Sequence, residues 1–305
     1  MNRRQINSLL KLPLPELISV ANKTREDFAG AKLELCSIMN AKSGLCAEDC
    51  KFCAQSARYS TGISTYPLKK KEDMVKAAKA AKDIGAERFD IVTSGERLTK
   101  KELDIIACAI NEITNKVGIK MCASLGSLNE EELLWLKKAG LSRYHHNLET
   151  SPSHFLKIVT THTFGERIKT VKAAKKVGLE VCSGGIIGMG ESLEDRVEMA
   201  LLLKELDVDS VPINVLVPIR GTPLEKQNTL SCNEAIRTIA LFRIILKDKL
   251  IKLAAGRESI LKDFQAMAFM AGANGMLIGG YLTIKGRDIN EDFRLVQEIK
   301  KLWQG

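Results

Sequence analysis

No stretch of this sequence is long and apolar enough to cross a membrane. Every apolar run stops short of the roughly 18 residues that a spanning helix needs, and the first residues, MNRRQINSLLKLPLPEL, lack the apolar block of a signal peptide. We therefore predict a cytoplasmic protein with no membrane partner. In a reducing compartment, the eight cysteines are expected to be ligands, catalysts or core residues rather than disulfides.

Proline and aromatic residues are also scarce. Seven prolines, with no tract rich in proline, serine and glycine, give no point at which to divide the 305 residues. The sequence therefore predicts one domain, residues 1–305, with a helical extension at its N-terminus. Only 5% of the residues are aromatic, and the basic residues behind the net charge of +9 are interspersed with acidic ones, as on solvated helix faces. We therefore expect no nucleic-acid partner.

Short runs typical of strands alternate with longer helical patterns. The candidate strands are 32–40, 88–94, 119–125, 143–148, 179–187, 209–217, 251–256 and 275–280. The candidate helices are 72–84, 100–116, 129–139, 164–176, 192–206, 233–246 and 261–271. Asn129 with Glu132, and Ser231 with Glu234, have the spacing of capping boxes. This order predicts an α/β protein with a (β/α)8 TIM-type barrel. An open doubly wound sheet is the alternative, but no G-x-G-x-x-G motif follows the first strand and opens a helix.

Three cysteines lie close together after the first predicted strand. In CAEDCKFCAQS, residues 46–56, three and then two residues separate Cys46, Cys50 and Cys53. A closed zinc site usually needs four ligands, commonly paired C-x-x-C units, and the sequence contains no second C-x-x-C. Three thiolates can instead hold a four-iron cluster and leave one iron free for a cofactor. Barrel enzymes place their chemistry in the loops after the strands, so position and spacing agree, and a chance cluster of cysteines is disfavoured.

The C-x-x-x-C-x-x-C spacing in this position is similar to that of radical S-adenosylmethionine enzymes, and longer segments resemble the biotin synthases of that superfamily. These segments are SIMNAKSGLCAEDCKFCAQSARY, YHHNLETSP, CSGGIIGMGE, SVPINVLVPIRGTPL and LAAGRE. The resemblance implies that Cys46, Cys50 and Cys53 hold a 4Fe-4S cluster whose open iron binds S-adenosylmethionine. The implied reaction inserts sulfur between C6 and C9 of dethiobiotin. Those carbons carry no acidic hydrogen, so a side-chain base cannot activate them, and hydrogen-atom abstraction is required.

The resemblance also implies contacts to S-adenosylmethionine. Phe52 is expected to pack on the adenine, and Arg167 to pair with the methionyl carboxylate, which suits a fork-shaped donor. Glu149 stands where the family more often has aspartate and is expected to reach the ribose. Gly185 and Gly188, in the run GGIIGMGE, are expected to allow the backbone to approach the adenine closely.

Substrate contacts are expected from three further residues. Asn147 alternates with Glu149 on the fourth strand, so both side chains face the same way. Asn214 is a candidate for the ureido ring of dethiobiotin, because an amide supplies both a donor and an acceptor. His146 matches a family position inside the barrel, and a core histidine without a ligand is the alternative. The histidines at 154 and 162 are interpreted as loop residues.

Three more cysteines occupy separate predicted strands. Together with Arg257, Cys36, Cys122 and Cys182 suggest a second iron–sulfur centre on the barrel axis. The resemblance implies an auxiliary cluster that supplies the sulfur, of either the 2Fe-2S or a four-iron type, and the four-iron type is preferred here. Asp90 stands where the family has a cysteine on strand 2. Because strand 1 neighbours strand 2, we expect Cys36 to replace that ligand.

The resemblance further implies an electron donor such as flavodoxin or ferredoxin, and a homodimer. Two alternatives remain open. A different barrel radical enzyme would keep the cysteine loop but not the second cysteine set, and a non-catalytic iron–sulfur sensor or electron carrier would not consume S-adenosylmethionine. Cys108 and Cys232 are interpreted as ordinary helix residues.

Overall fold

Parallel strands form one closed barrel with helices around it. The structure is a computed structural model that describes residues 3–280, 282 and 286–304. Its strands are β1 (Glu34–Lys42), β2 (Arg88–Thr93), β3 (Lys120–Ser124), β4 (Leu141–His145), β5 (Glu180–Cys182), β6 (Gly185–Ile187), β7 (Ser210–Val215), β8 (Leu250–Leu253) and β9 (Gly275–Leu277). Their order is β5-β4-β3-β2-β1-β9-β8-β7-β6, and a pairing of β5 with β7 closes the sheet. Since β5 and β6 are two segments of one barrel strand, the predicted (β/α)8 barrel is confirmed.

Helices precede the barrel and connect its strands. They are α1 (Arg3–Lys11), α2 (Leu14–Ala29), α3 (Lys71–Asp83), α4 (Lys100–Lys116), α5 (Glu130–Ala139), α6 (Pro152–Phe155), α7 (Phe164–Lys176), α8 (Leu193–Glu205), α9 (Cys232–Leu246), α10 (Arg257–Ile260), α11 (Gln265–Met270) and α12 (Ile289–Gln304). Helix α2 packs against α9, and α11 packs against α12. None of the helices in the described part of the chain has the length and apolarity to span a bilayer.

The alternation of side chains on β2 shows how the strands separate the barrel interior from the core. Phe89 and Ile91 point outward and are fully buried under the helices. Arg88, Asp90 and Val92 point inward and line a cavity. Each buried large apolar side chain stabilises the fold by about 1.5–3 kcal/mol. The outer layer therefore supplies the stability, and the interior is left free for polar chemistry.

Both predicted capping boxes are confirmed. The side chain of Asn129 accepts a hydrogen bond from the backbone N–H of Glu132, and the Glu132 carboxylate accepts one in return from the backbone of Asn129. Ser231 and Glu234 make the same reciprocal pair at the start of α9. Each cap stabilises its helix by roughly 1 kcal/mol, because two otherwise unpaired N–H groups are satisfied.

Two predicted elements were wrong in their continuity. The strand expected over 179–187 is interrupted at Gly184, where a Cβ atom would lie only 2.1 Å from the carbonyl oxygen of Pro212. The helix expected over 261–271 is instead a 3-10 turn, Lys262–Phe264, followed by α11. Lys262 has a φ of +46°, a left-handed conformation that an α-helix cannot contain.

An ionic network closes the amino-terminal end of the barrel. Arg88 donates from Nε to Glu34 at 2.9 Å and pairs with Glu180 at 2.7 Å. Arg143 contacts the same two carboxylates at 2.7 and 2.8 Å. Burial opposes the charge of Glu34, but Arg143 and its other cationic neighbours outweigh burial and lower the pKa of Glu34 to about 2. The opposite end of the barrel, where the strands finish, is left open for the site.

Candidate active site

Two adjoining cavities lie inside the barrel and at the carboxyl ends of its strands. The larger has a volume of 390 Å³ and the smaller one of 180 Å³. Both are lined by Phe52 and Cys53 of the loop after β1, and by His145, Asn147 and Glu149 of the fourth strand and its extension. A molecule in the smaller cavity would therefore touch a molecule in the larger one.

The cysteine loop after β1 borders the smaller cavity. It folds back on itself, because the backbone of Cys46 donates to Gln55 and the backbone of Cys53 donates to Cys50 at 2.9 Å. The thiols of Cys46, Cys50 and Cys53 all line this cavity. Burial raises the pKa of Cys50 strongly and that of Cys53 to about 11. Without a metal these two thiols are therefore protonated, and metal binding would have to displace their protons.

The fourth strand presents alternate residues to the barrel interior. Arg143, His145, Asn147 and Glu149 all line the larger cavity, as a period of two requires. His146 faces the other way, stacks on Tyr144 with ring centroids 6.5 Å apart, and lines only the smaller cavity. The histidine of this strand that lines the larger cavity is His145, whereas the expected substrate contact of His146 stays a prediction.

Arg167 enters the smaller cavity from α7. Its Nη1 donates to the backbone oxygen of Asn147 at 2.9 Å, and the nearest oxygen of the Glu149 carboxylate is 3.6 Å away. Glu149 itself has a φ of +71°, an uncommon conformation for a residue with a side chain, which turns the chain sharply after β4. Arg167 and Glu149 are thus brought together with Asn147.

Cys36, Cys122 and Cys182 come together at the floor of the larger cavity. They lie on β1, β3 and β5, and all three are buried. Cys36 accepts a hydrogen bond from Nζ of Lys252 on β8 at 3.4 Å, and Cys182 lies 3.5 Å from the hydroxyl of Ser210. Among the described residues, no three ligand groups converge as they would around a single metal ion.

Cations surround these three thiols. Burial opposes the charge of Lys252, but the neighbouring sulfurs of Cys182 and Cys36 outweigh burial and raise its pKa. The converse holds for Cys182, where burial is outweighed by Lys252, His145 and Arg143, so the pKa of its thiol is lowered. Burial dominates at Cys36 and raises the pKa of that thiol to about 12. Burial likewise raises the pKa of Cys122. Of the three thiols, only Cys182 therefore lies in surroundings that favour negative charge on sulfur.

The carboxylate of Asp90 pairs with the imidazole of His145. Its Oδ2 atom lies 3.1 Å from Nδ1 of His145, and Nε2 of His145 lies 3.0 Å from Oδ1 of Asn147. Burial opposes the imidazolium, but Cys182 and Asp90 outweigh burial and raise the pKa of His145 to about 9. His145 is therefore charged at neutral pH and donates from both ring nitrogens.

Arg257, which we expect to join the second cysteine set, is not among the described residues that line the larger cavity. It follows β8 instead of lying on it and begins α10. Its Nη2 pairs with Asp292 of α12 at 2.7 Å, and it also donates to Gln265. This ion pair is buried and joins α10 to the C-terminal helix. Lys252, five residues earlier on β8 itself, is a cation that contacts Cys36.

The remaining predicted residues lie at the edges of the cavities. Asn214 lines the larger cavity, donates from Nδ2 to the backbone oxygen of Gly185, and accepts from the backbone of Ala255, both at 3.1 Å. One N–H of its amide thus remains for another partner. A Cβ atom on Gly185 would lie 2.4 Å from the oxygen of Glu149, so that position requires glycine. Gly188 has a φ of +93° and donates its N–H to Glu191.

Comparison with family models divides most of the chain between two matches. Residues 42–203 match the Radical SAM superfamily, and residues 212–300 match the Biotin and Thiamin Synthesis associated domain. The first match runs from the last residue of β1 into α8, and the second begins within β7. The strands in both matches belong to the same closed barrel.

Two biotin synthases from Thermotoga species align with most of the chain. The biotin synthase of Thermotoga petrophila is 54% identical over 299 residues, which make up 98% of this chain and 99% of that relative. The chain belongs to the biotin synthase family. The biotin synthase of Thermotoga neapolitana is 58% identical over 273 residues, 89% of this chain and 98% of that relative. The chain is therefore a radical S-adenosylmethionine enzyme of this family, which implies a 4Fe-4S cluster and S-adenosylmethionine as cofactors.

Solved structures of other enzymes share the fold of this chain. A methylornithine synthase has a TM-score of 0.84 at 22% identity, with 98% of this chain and 92% of that chain covered. A maturase of the [FeFe]-hydrogenase has a TM-score of 0.80 at 18% identity, with 95% and 69% covered. At these identities the likeness extends to the barrel alone.

The sequence analysis did not assign three residues that the structure places at the site, His145, Lys252 and His162. His145 has the same parity as Asn147 and Glu149 on one strand, so alternation alone would have placed it inside the barrel. Lys252 has the parity of Ala254, which lines the larger cavity. His162 carried no such signal, because its partner Glu48 lies 114 residues away in the chain.

Proposed function

We propose that the protein converts dethiobiotin to biotin by radical insertion of sulfur, and that two iron–sulfur clusters lie in one barrel. Family membership supports the reaction. The observation that carries the proposal is the pair of adjoining cavities, one bordered by the thiols of the loop and the other by three thiols from separate strands. The first would hold the cofactor, and the second the substrate and the sulfur source.

On the cofactor side, Cys46, Cys50 and Cys53 would hold the 4Fe-4S cluster. Bound S-adenosylmethionine, once reduced through that cluster, supplies the hydrogen-atom abstraction that no side chain in this barrel can perform. The protein binds and orients the cofactor and excludes water from it. Phe52 supports this role, because it belongs to an apolar cluster with Phe155 and Leu216 beside the loop and lines both cavities.

Polar contacts to the cofactor are proposed from the smaller cavity. Arg167 would pair with the methionyl carboxylate, since its guanidinium is only loosely paired with Glu149 at 3.6 Å. Glu149 would accept from the ribose hydroxyls. The ring nitrogen Nε2 of His146 is buried without a hydrogen bond in the part of the chain that the structure describes, which supports a role for His146 on the cofactor side.

The backbone of the glycine run would approach the adenine. Gly185 and Gly188 lie on either side of Ile186, which lines the larger cavity. The Glu191 carboxylate accepts from the N–H groups of Gly188 and Met189, both at 2.7 Å, and so holds this turn in place.

Dethiobiotin would occupy the larger cavity. Apolar side chains such as Ile38 and Val92 suit its hydrocarbon portion. The free N–H of Asn214 would bind the ureido oxygen, and Asn147 would contact substrate from the fourth strand. The cavity adjoins the cofactor site along Asn147 and Glu149, so the substrate carbons would lie beside the cofactor.

The auxiliary cluster would be held by Cys36, Cys122 and Cys182, and we propose the four-iron type. Support comes from charge. Two cationic side chains lie close to the thiols: Nζ of Lys252 donates to Cys36, and Lys252 and His145 together lower the pKa of Cys182. A cluster held by three thiolates is an anion, and these two cations would offset part of its charge.

Further properties are proposed on the resemblance alone. The chain would act as one domain in the cytoplasm, as a homodimer, and would receive electrons from a donor such as flavodoxin or ferredoxin.

Anaerobic reconstitution with iron and sulfide tests the proposal. The loaded protein should form 5′-deoxyadenosine and biotin when given S-adenosylmethionine, a reductant and dethiobiotin. Cys108→Ala is the matched control, since Cys108 is exposed on α4 and lies outside both cavities. Formation of 5′-deoxyadenosine without biotin, at full loading of both clusters, would contradict dethiobiotin as the substrate.

A further inference from the structure

A chain of three side chains connects the cysteine loop to Arg167. Glu48 lies between Cys46 and Cys50, and its Oε2 atom is 2.5 Å from Nδ1 of His162. Nε of Arg167 donates to Nε2 of the same histidine at 3.1 Å. The side chains of Glu48, His162 and Arg167 are between 8% and 13% exposed, so water competes little for these bonds.

The partners fix the protonation of His162. Nε of an arginine always carries a hydrogen, so Nε2 of His162 must be the acceptor. The hydrogen of a neutral imidazole then lies on Nδ1 and is donated to Glu48. His162 is therefore an oriented neutral bridge that transmits the position of the Glu48 carboxylate to the guanidinium of Arg167.

Other contacts hold the bridge in place. The ring of His162 packs edge-on against Phe155, which is fully buried, with centroids 5.8 Å apart. The hydroxyl of Thr161 donates to Glu48, and the backbone of Thr160 donates to Asp49 at 2.9 Å. The segment that carries His162 is thus tied to the cysteine loop along several residues.

The bridge decides which groups Arg167 can reach. With Nε held by His162 and Nη1 donating to Asn147, the guanidinium stays 3.6 Å from Glu149 and makes no direct hydrogen bond to that carboxylate. Nη2 has no hydrogen bond to any residue that the structure describes. Without His162, the guanidinium would be free to rotate into a closer pair with Glu149, which would neutralise it.

We propose that His162, held by Glu48, is a positioning residue that keeps Arg167 available for the carboxylate of S-adenosylmethionine. The inference rests on the proposed pairing of Arg167 with that carboxylate. Because Glu48 belongs to the cysteine loop, the same bridge fixes the position of Arg167 relative to Cys46, Cys50 and Cys53.

Binding of two ligands to the reconstituted protein tests this role. S-adenosylmethionine and its decarboxylated analogue differ only in the carboxylate, so the ratio of their dissociation constants reports on the carboxylate subsite. His162→Leu should reduce the preference for S-adenosylmethionine about tenfold, as expected for the loss of an oriented charged hydrogen bond. His162→Gln should largely restore the preference, because its amide oxygen can accept from Arg167. In turnover, His162→Leu should raise KM for S-adenosylmethionine more than it lowers kcat.

His154→Leu is the matched control. His154 lies in the same segment, is buried, and neither of its ring nitrogens has a hydrogen bond within the described residues. It lines neither cavity, so the ligand preference should stay at the wild-type value. Iron content should be unchanged in all of these variants, which separates positioning from loss of the cluster.

A variant at Arg167 separates the two levels of the proposal. If Arg167→Met leaves the ligand preference intact, the proposed contact to the carboxylate is wrong. If Arg167→Met abolishes the preference but His162→Leu does not alter it, the positioning role is overturned while the contact stands. The double variant should show no loss beyond that of Arg167→Met, because His162 acts only through Arg167.

Discussion

Replacing Asp90 with asparagine should change the charge of the histidine beside it. Asp90 is 3.1 Å from His145, and both side chains line the larger cavity. Asparagine keeps the size and the acceptor oxygen of aspartate but carries no charge. The variant therefore isolates the electrostatic effect of Asp90 on His145 from its shape.

The structure gives the size of the effect. The pKa of His145 is raised to about 9, although burial alone would lower it below 6.5. A carboxylate in hydrogen-bond contact shifts a neighbouring pKa by about 1–3 units, so Asp90→Asn should lower the pKa of His145 by that amount. Since the raised pKa favours the folded state, its contribution is fully present below pH 6.5 and is lost as the pH rises through about 9. That contribution is on the order of 3 kcal/mol.

Proton NMR of the iron-free protein measures this pKa directly. The chain has only four histidines, so His145→Gln identifies the resonance of His145 by its absence. The free energy of unfolding, measured with urea across the same pH range, should fall with rising pH in the wild-type protein and much less in Asp90→Asn. An unchanged pKa of His145 in the variant would refute the reasoning and assign the shift to the thiolate of Cys182.

Four further variants test the site. Cys50→Ala should abolish 5′-deoxyadenosine formation, because two thiolates do not retain the cluster, whereas Cys108→Ala should leave it intact; activity in a loaded Cys50 variant would contradict the assignment. Cys36→Ala should remove iron from the auxiliary cluster but leave about four irons on the cluster of Cys46, Cys50 and Cys53, as counted by Mössbauer spectroscopy with elemental analysis. Asp90→Ala should remove much less auxiliary iron, because a carboxylate is a poorer ligand than a thiolate for an iron–sulfur cluster. Asn214→Ala should weaken dethiobiotin binding by about 1–3 kcal/mol in equilibrium titrations, and an unchanged affinity would place the amide in the barrel wall only. Arg257→Met should leave the iron content unchanged but lower the free energy of unfolding by about 3–5 kcal/mol, since it strands a buried carboxylate; loss of auxiliary iron instead would restore Arg257 to the cluster.

Local patterns in the sequence predicted the barrel and the cysteine loop well. Strand and helix periodicity located every barrel strand to within a few residues, because each element buries one face along its whole length. The break at Gly184 was missed because it arises from contact with Pro212, on a neighbouring strand. The positive φ of Lys262 was missed because lysine has no preference for that conformation, so the sequence carried no signal for it.

Assignments within the site depended on which way a side chain points. Arg257 and Lys252 are both cations near the end of β8, and the sequence alone suggested Arg257 and not Lys252. Lys252 lies within the strand, where alternation directs it inward, whereas Arg257 lies beyond the strand end, where alternation no longer applies. Pairs such as Glu48 with His162 join segments over 100 residues apart and become visible only in the folded chain.

The central claim is that one set of cysteines activates the cofactor and the other supplies the sulfur. Replacing Cys36, Cys122 and Cys182 together with alanine, followed by anaerobic reconstitution, tests it most directly. With S-adenosylmethionine, a reductant and dethiobiotin, the account predicts that the variant still releases 5′-deoxyadenosine but forms no biotin. Biotin formation at the wild-type level in this variant would contradict the account.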